Sequence, residues 1–567
     1  MNSGSHPTLP RLHPAWKIWS NPLFLRFCRS RLRPQALGVS LLIVLMISGF
    51  IVAMAVPLAT RSGMTPADAA RTAIIPLLVL QGFILFILGT AQVSGGMTTE
   101  HDERVIDYQR LLPMTPMAKV LGYLFGLPVR ETVMVLATMP FVVWAFWRGG
   151  VAVGTWLPLY AVMISSTVLY HFTGLLTGTV VRNRRWAFLI SIGLVFSLYT
   201  VVPQLAKFGL VFFRYLTIRP VFDEVLPGLL PATARSVVKT LQGLDPTVKF
   251  FGLGFPESVF TAFSQIGLIL VFAMMLHRKW RRADSHLLAK RPATVFYLWI
   301  QTLLLGNALP LIDSGDLFPS RGLRRYGIAT PDWQPQAGEA VLMSGIYGLA
   351  SLLLLFVLAL IVTPTADRQV RGWRRAFKQG RERAGLSSEA TTSFWCVMTM
   401  AVAGAVGWYL FTCGLVESRW FPGHVVHPGV LGVFTAVMLS SGVVFQSLLE
   451  IKGARVLGLA AMFVGAVPLM VGAVISAIDD RLQPVAAWLI GISPASLPFY
   501  APASQLSLSE LPAGLARAVP RAFHFWLAIS LLTMIWLALE LRKARKVRAK
   551  QARSASSGSV PAAPQPP

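Results

Sequence analysis

Cysteine is nearly absent from this chain. Cys28, Cys396 and Cys413 are the 3 in 567 residues, with no CxxC or Cys/His spacing, so neither a disulfide framework nor a zinc site is supported. Charge is scarce at 13% of residues, and acidic charge is scarcest, 24 Asp and Glu against 51 Lys and Arg. Acids are missing from the middle of the apolar runs, and Glu131, Glu257, Glu450 and Glu540 lie near their ends. Ion-coupled transporters usually carry an ionisable group at membrane depth, so that class loses support. No Gly-x-x-x-x-Gly-Lys-[Ser/Thr] phosphate loop occurs, and a nucleotide site of that kind is not expected. The first 35 residues are basic and show no small-residue cleavage site after a short apolar core, so no signal peptide is expected.

What the chain does have is hydrophobic length. Apolar residues make up 54% of it, in runs of about 20 that suffice to cross roughly 30 Å of hydrocarbon. The pattern predicts an all-α polytopic membrane protein with about twelve spans. The first six fall near 36–60, 72–94, 128–147, 154–181, 186–206 and 257–276. The second six fall near 292–312, 338–363, 392–416, 429–449, 456–478 and 522–541. The net charge of +27 does not point to nucleic acid, because the basic residues punctuate apolar runs and form no aromatic-interleaved groove. With the N-terminus inside, one set of loops holds about two thirds of the Lys and Arg, which is the positive-inside bias and makes both termini cytoplasmic.

Loop lengths repeat across the chain. In each half the second and third spans flank a long cytoplasmic segment (95–127 and 364–391), and the fourth and fifth a short basic one (182–185 and 450–455). The fifth and sixth flank a long external segment (207–256 and 479–521). Six spans per repeat give halves of the same orientation, related by an axis along the membrane normal. The expected organisation is a tail with an interfacial helix (1–35), a first half (36–276), a second half (277–541), and a basic, then disordered, Ser/Ala/Pro-rich tail (542–567).

Before the first span, Trp16, Trp19, Leu23, Phe24 and Phe27 alternate with Lys17, Arg26, Arg29, Arg31 and Arg33. Asn21-Pro22 reads as a helix start, cap then Pro. The expectation is an amphipathic helix in the cytoplasmic interface, with Trp and Phe inward and Arg toward lipid phosphates.

The most polar island is 95–126. Glu100, Asp102, Glu103 and Asp107 bring acids into an otherwise basic cytoplasmic region. Thr98 or Thr99 is expected to cap a short helix with those acids in its first turns, where the dipole favours them. Pro113 and Pro116 should stop that helix in a rigid turn, and a second amphipathic piece, Met117 to Gly126, leads into the third span.

Residues Glu100, Asp102 and Glu103, then Val105-Ile106-Asp107, Leu111-Leu112-Pro113-Met114-Thr115-Pro116 and Leu121-Gly122-Tyr123-Leu124-Phe125-Gly126, resemble the coupling segment of type-2 ABC exporter permeases. That family carries, between its second and third spans, an acidic start, a Gly-Thr-Leu-like step, a Leu-rich helix, Pro-x-Ser-Pro and Leu-Gly-Lys-x-x-Gly. Departures here are Arg104 for the usual Gly, Gln109-Arg110 within the Leu-rich run, and Tyr123 for the usual Lys. The likeness extends loosely over 16–276 and is weaker over 277–541, whose own segment Thr363–Thr391 is Arg-rich and lacks Pro-x-Thr-Pro. The resemblance implies a non-enzymatic permease subunit whose segment 96–127 receives a separate ABC-type ATPase. The docking residues it implies are Glu100, Asp102, Glu103, Asp107, Leu111, Pro113, Thr115, Pro116 and Gly122. It implies ATP on the partner and no cofactor here, a homo- or pseudo-dimer, and a bacterial cytoplasmic membrane. The major-facilitator loop Gly-x-x-x-Asp-Arg-x-Gly-Arg is not matched.

The fourth span offers a polar stripe, Ser166, Tyr170, Thr173 and Thr177, beside Thr167, His171, Gly174 and Gly178. It reads either as a substrate-facing surface or, more commonly, as close helix packing with His171 a satisfied interhelical partner. Pro227-Gly228 reads as a turn, and Asp223-Glu224 as a solvated loop. By the resemblance, the long external segments hold short re-entrant or interfacial helices. Two other classes stand beside the exporter. One is a membrane enzyme acting on lipid-linked substrates, for which His424 and His427 are the external pair, and the other is a non-transporting scaffold.

Overall fold

The structure is a computed structural model and describes residues 14–181, 183–234, 247–324, 333–381, 388–506 and 513–557. Arg182 and the tail from residue 558 lie outside the described residues. Among those described, twelve helices are long and apolar enough to cross a membrane. The protein is an all-α, multi-pass membrane protein.

The spanning helices are Pro34–Arg61, Pro66–Asp102, Val129–Arg148, Val153–Val180, Arg185–Phe208 and Glu257–Arg281, then Lys290–Ser314, Ala337–Val362, Phe394–Val416, Gly429–Lys452, Ala454–Ile478 and Gly514–Ser554. The chain divides into two compact units, with the main boundary between Asp284 and Ser285.

In the first unit the fourth span is the hub, packed against the second, fifth and sixth. Gly174 and Gly178 allow this approach: a Cβ on them would fall 2.9 and 2.7 Å from the carbonyl oxygens of Thr90 and Ser94 on the second span. The polar stripe lies within this packing. Ser166 accepts from Gln265 of the sixth span at 2.9 Å, and His171 Nε2 lies 3.1 Å from the Leu85 carbonyl. Leu85 belongs to a π-helical stretch, Phe83–Gly89, and such wider turns free carbonyls for outside partners. Tyr170 is fully buried edge-on to Phe86, and the Thr173 and Thr177 hydroxyls bond back to Tyr170 and Thr173 carbonyls.

A helix forms where the interfacial one is expected, Pro22–Arg31, with Asn21 as its cap and Pro22 in its first turn. The Asn21 carbonyl oxygen accepts from Leu23 N at 2.9 Å, while its amide donates to the Ala118 carbonyl at 2.6 Å. The apolar face is spent on protein rather than lipid: Leu23, Phe24 and Phe27 are buried. Trp16 and Trp19 do not turn inward with them, being 76% and 83% exposed. Opposite the helix lie Gly122 and Gly126 of the helix Pro116–Gly126. A Cβ on Gly122 would stand 2.9 Å from Leu23 Cβ, and one on Gly126 2.7 Å from the Phe27 ring. Overpacking such a seam costs about 1–3 kcal/mol. Gly122→Leu is therefore expected to release the N-terminal helix, read as faster tryptic cleavage at Arg26 and Arg29. Unchanged cleavage would contradict this packing.

Two loop expectations are overturned. Pro227 and Gly228 lie in the last turn of a helix, Arg219–Leu229, not in a free turn. The α-carbon of Gly228 packs on Thr155, where a Cβ would come within 2.8 Å, so the small residue is needed for contact rather than for a bend. Asp223 and Glu224 are on the same helix, and Arg214 and Arg219 both approach Asp223 at 3.8 Å. Burial raises both carboxyls above their usual range. The short helices expected of the external segments are present here and at Leu497–Gln505.

In the second unit a buried glutamate ties four elements. Glu450, at the end of the tenth span, accepts from Gln369 at 2.8 Å, Thr392 at 3.2 Å and Arg545 at 3.1 Å. Arg548 reaches Gln369 Oε1 at 2.9 Å and the Glu450 carbonyl at 3.1 Å. These bonds hold the Arg-rich helix Ala366–Lys378 and the extension of the last helix, which runs unbroken from Ala513 to Ser557. The start of the expected disordered tail, 554–557, is thus helical.

Candidate docking segment

The second span does not end where its apolar run does, near residue 94. Its helix continues through Gly95-Gly96 to Asp102, because nothing from Thr90 onward breaks it and Gly96 is filled over by Leu127 and Arg31. The expected cap at Thr98 or Thr99 is therefore absent. Both hydroxyls bond back within the helix, to Ser94 O at 3.0 Å and Gly95 O at 2.9 Å. Glu100 and Asp102 sit at a helix C-terminus, not in a first turn, and only Asp107 occupies the first turn of the next helix, Val105–Leu111.

Arg104 makes the break, at φ 58°, ψ 15°. This is the left-handed region, which costs a non-glycine residue about 1 kcal/mol. It is also the position where the exporter pattern has Gly, so the departure has a physical price at that one torsion. Arg104→Gly is expected to raise the melting temperature, by roughly 0.5–1 kcal/mol of stability. A lower melting temperature would mean that the Arg104 side chain matters more than its backbone.

After Leu111 the Leu-Leu-Pro-Met-Thr-Pro run turns the chain. Thr115 caps the next helix, its hydroxyl accepting from Ala118 N at 3.2 Å, and Pro116 fills the first turn, where its missing N–H costs nothing. Thr115 and Pro116 thus start a helix. Pro113 is exposed in the turn itself.

The inner face of the segment is locked down. Ile106, Met114, Ala118, Val120, Tyr123 and Leu124 join one core with Leu23 and Phe27 of the interfacial helix and with residues of the second, fourth and sixth spans. At its centre Glu100 is 6% exposed. Arg26 pairs with its Oε1 at 2.9 Å, Gln109 Nε2 donates to its Oε2 at 3.1 Å, and the Tyr123 hydroxyl lies against Glu100 Oε2 and Gln109 Oε1. Burial, then the Glu100 charge, push the Tyr123 phenol far above its ordinary pKa, so it stays a proton donor. The Tyr123 ring packs edge-on to Phe27 and tilted on Trp280. Lys119 is held within the fold by a 2.9 Å bond to the Arg110 carbonyl, with burial and the Arg110 charge lowering its pKa.

The outer face is different. His101, Asp102, Glu103, Arg104, Asp107 and Pro113 are exposed, and with them Tyr108 at 75% and Leu111 at 83%. Asp107 bonds Arg110 at 2.7 Å along the rim of a small cleft of about 370 Å³. An exposed aromatic and leucine one turn apart, on a segment with exposed charges of both signs, make a surface suited to another protein.

Comparisons with protein-family models, curated proteins and solved structures gave no match for this chain.

The residues singled out from sequence therefore separate into two groups. Asp102, Glu103, Asp107, Leu111 and Pro113 share the exposed face. Glu100 and Gly122 are buried, and Thr115 and Pro116 shape the turn. Tyr108, Gln109 and Arg26 were missed. Tyr108 had one available signal, an aromatic three residues before Leu111 on a short helix. At the other candidate site, His427 Nδ1 accepts from Gly429 N at 3.0 Å at the start of the tenth span.

Proposed function

We propose that this chain is the membrane-spanning subunit of an ATP-driven exporter of the type-2 ABC class, and that Val105–Leu111 and its flanking turns dock a separate ABC-type ATPase. One observation carries the reading: a helix–turn–helix whose inner face is bonded into the spans while its outer face presents Tyr108 and Leu111 on a segment with exposed charges of both signs. A surface loop would not need so many internal bonds, and a buried connector would not expose its largest apolar side chains.

The inner bonds give the segment its mechanical role. A push on Tyr108 and Leu111 passes through Ile106 and Gln109 to Glu100 at the end of the second span, through Arg26 to the interfacial helix, and through Tyr123 to the sixth span. Closure of an ATPase dimer would thus move several spans together. Nucleotide chemistry stays on the partner. The excess of Lys and Arg on the same side supports a cytoplasmic orientation, and a bacterial inner membrane is what the family resemblance implies.

The test is co-expression with an ABC-type ATPase encoded beside this chain. Joint purification and ATPase activity that depends on both chains are expected. Separate elution, with ATPase activity indifferent to this chain, would contradict the proposal.

A further inference from the structure

Beside the docking segment lies a cavity of about 800 Å³ between the interfacial helix, the end of the second span and the start of the fifth. Three arginines line it, Arg26, Arg31 and Arg185, with two carboxylates, Glu100 and Glu103. Glu100 is already engaged by Arg26, Gln109 and Tyr123. The lining therefore has positive charge in excess.

The position of the cavity matters as much as its charge. The second-span helix has 37 residues, about 55 Å at 1.5 Å each, well beyond the roughly 30 Å hydrocarbon core. Ala91, Gln92, Gly95, Gly96, Thr99 and Glu100, within its last thirteen residues, line the cavity, and the excess length of the helix points to headgroup level for them. Arg185 opens the fifth span, and Phe188 and Leu189, one turn further on, are 44% and 57% exposed at the cavity edge. Basic groups above and apolar groups below is the pattern an anionic lipid fits.

The interior is built to leave room. Arg31 donates to the Gln92 side-chain carbonyl at 2.7 Å, which turns its guanidinium over Gly96, 3.3 Å from where a Cβ would be. A Cβ on Gly95 would meet nothing within 4 Å, although the residue itself is buried. Gly95 thus leaves open space at the cavity wall, whereas Gly96 is covered by Leu127 and Arg31. Gln92 accepts from Arg31 through its oxygen, and its amide N–H groups add neutral donors to the lining.

We propose that this cavity binds the phosphate headgroup of an anionic glycerophospholipid, with Arg31 and Arg185 on the phosphate and the acyl chains along Phe188 and Leu189. The site adjoins the docking segment through Glu100 and Glu103, but Tyr108 and Leu111 are not among its lining residues. A resident lipid there would tie the interfacial helix to the second and fifth spans.

The test uses the full chain alone, delipidated in a neutral detergent, with retained lipid read by native mass spectrometry. Phosphatidylglycerol, phosphatidylcholine and inorganic phosphate are the probes. Phosphatidylglycerol is expected to be retained at least about tenfold better than phosphatidylcholine, and inorganic phosphate not to displace it at equal concentration. Arg31→Gln with Arg185→Gln is expected to lower retention about tenfold, as is Gly95→Trp, which fills the space without touching a charge. Arg371→Gln with Arg374→Gln, on the exposed basic helix of the second unit, should leave retention unchanged. Equal retention of both lipids, or an equal loss from the Arg371/Arg374 control, would overturn the site. Displacement by inorganic phosphate would make it a free-phosphate site and overturn the lipid assignment. Should the arginine pair fail to fold, Gly95→Trp decides: full retention in that variant refutes the proposal. No ATPase is present, so the outcome is independent of the docking proposal.

Discussion

Tyr108→Asp combined with Leu111→Asp is expected to separate the chain from the proposed ATPase partner while leaving the chain folded. Both side chains point away from the core, at 75% and 83% exposure, so their loss removes no internal contact of consequence. At a protein interface the same two side chains would be anchors. Aromatic residues ringed by polar neighbours are where binding energy concentrates, each worth 2 kcal/mol or more when truncated. Loss of the one aromatic anchor, Tyr108, and of the apolar Leu111 beside it, with two acids added, should weaken the complex by about thirtyfold or more. The measurement is the ATPase co-purified per copy of this chain, alongside the melting temperature of the chain. Trp147→Asp is the control, since that residue is equally exposed, at 78%, on the end of the third span away from the docking turn. A double variant that still holds the ATPase would move the docking surface elsewhere.

Glu100→Ala will have the larger effect on the fold itself. This carboxylate is the shared acceptor for Arg26, Gln109 and Tyr123. Without it, the buried Gln109 amide loses its acceptor, the Tyr123 phenol keeps only Gln109 Oε1, and Arg26 loses its counter-charge. Orphaned buried donors cost about 1–3 kcal/mol each, and breaking a buried ion pair about 3–5. Arg26 is 48% exposed at its side chain, so the ion-pair part is screened and the lower end of that range applies. A total of about 3 kcal/mol is expected, seen as a clear fall in melting temperature and loosening of the N-terminal helix. Arg26→Ala should cost less than Glu100→Ala, because water can replace an exposed guanidinium but not a buried carboxylate. Equal melting of Glu100→Ala and the parent would show that the cluster contributes nothing.

Much of the architecture was readable from residues near one another in the chain. Spans announce themselves by twenty apolar residues in a row, and Asn21-Pro22 and Thr115-Pro116 start helices by a local rule of cap followed by proline. The failures share a cause. Thr98 and Thr99 have the composition of a cap, but the helix arriving from the membrane was already in progress, and a continuing helix needs no new start. Pro227-Gly228 looked like a turn because both residues permit one, whereas contact with Thr155 decided the matter.

The docking segment was legible as a position and only half legible as a surface. Pro113, Thr115 and Pro116 marked the turn. Which acids face water did not follow from the sequence, since Glu100 and Glu103 are chemically alike. Their fates differ because Arg26, Gln109 and Tyr123 converge on one and not the other, and that convergence joins residues far apart in the chain. Tyr123, a departure from the exporter pattern, closes the cluster. The Glu450 cluster of the second unit escaped notice for the same reason, being assembled from Gln369, Thr392, Arg545 and Arg548.

The docking proposal is tested most directly by a photo-crosslinking amino acid at position 108, introduced in cells that express the chain and its ATPase together. The expected result is a crosslink from position 108 to an ABC-type ATPase, identified by mass spectrometry, and none from the same group at position 147. Crosslinks absent at 108, or equally frequent from both positions, would contradict the proposal that this face receives the ATPase.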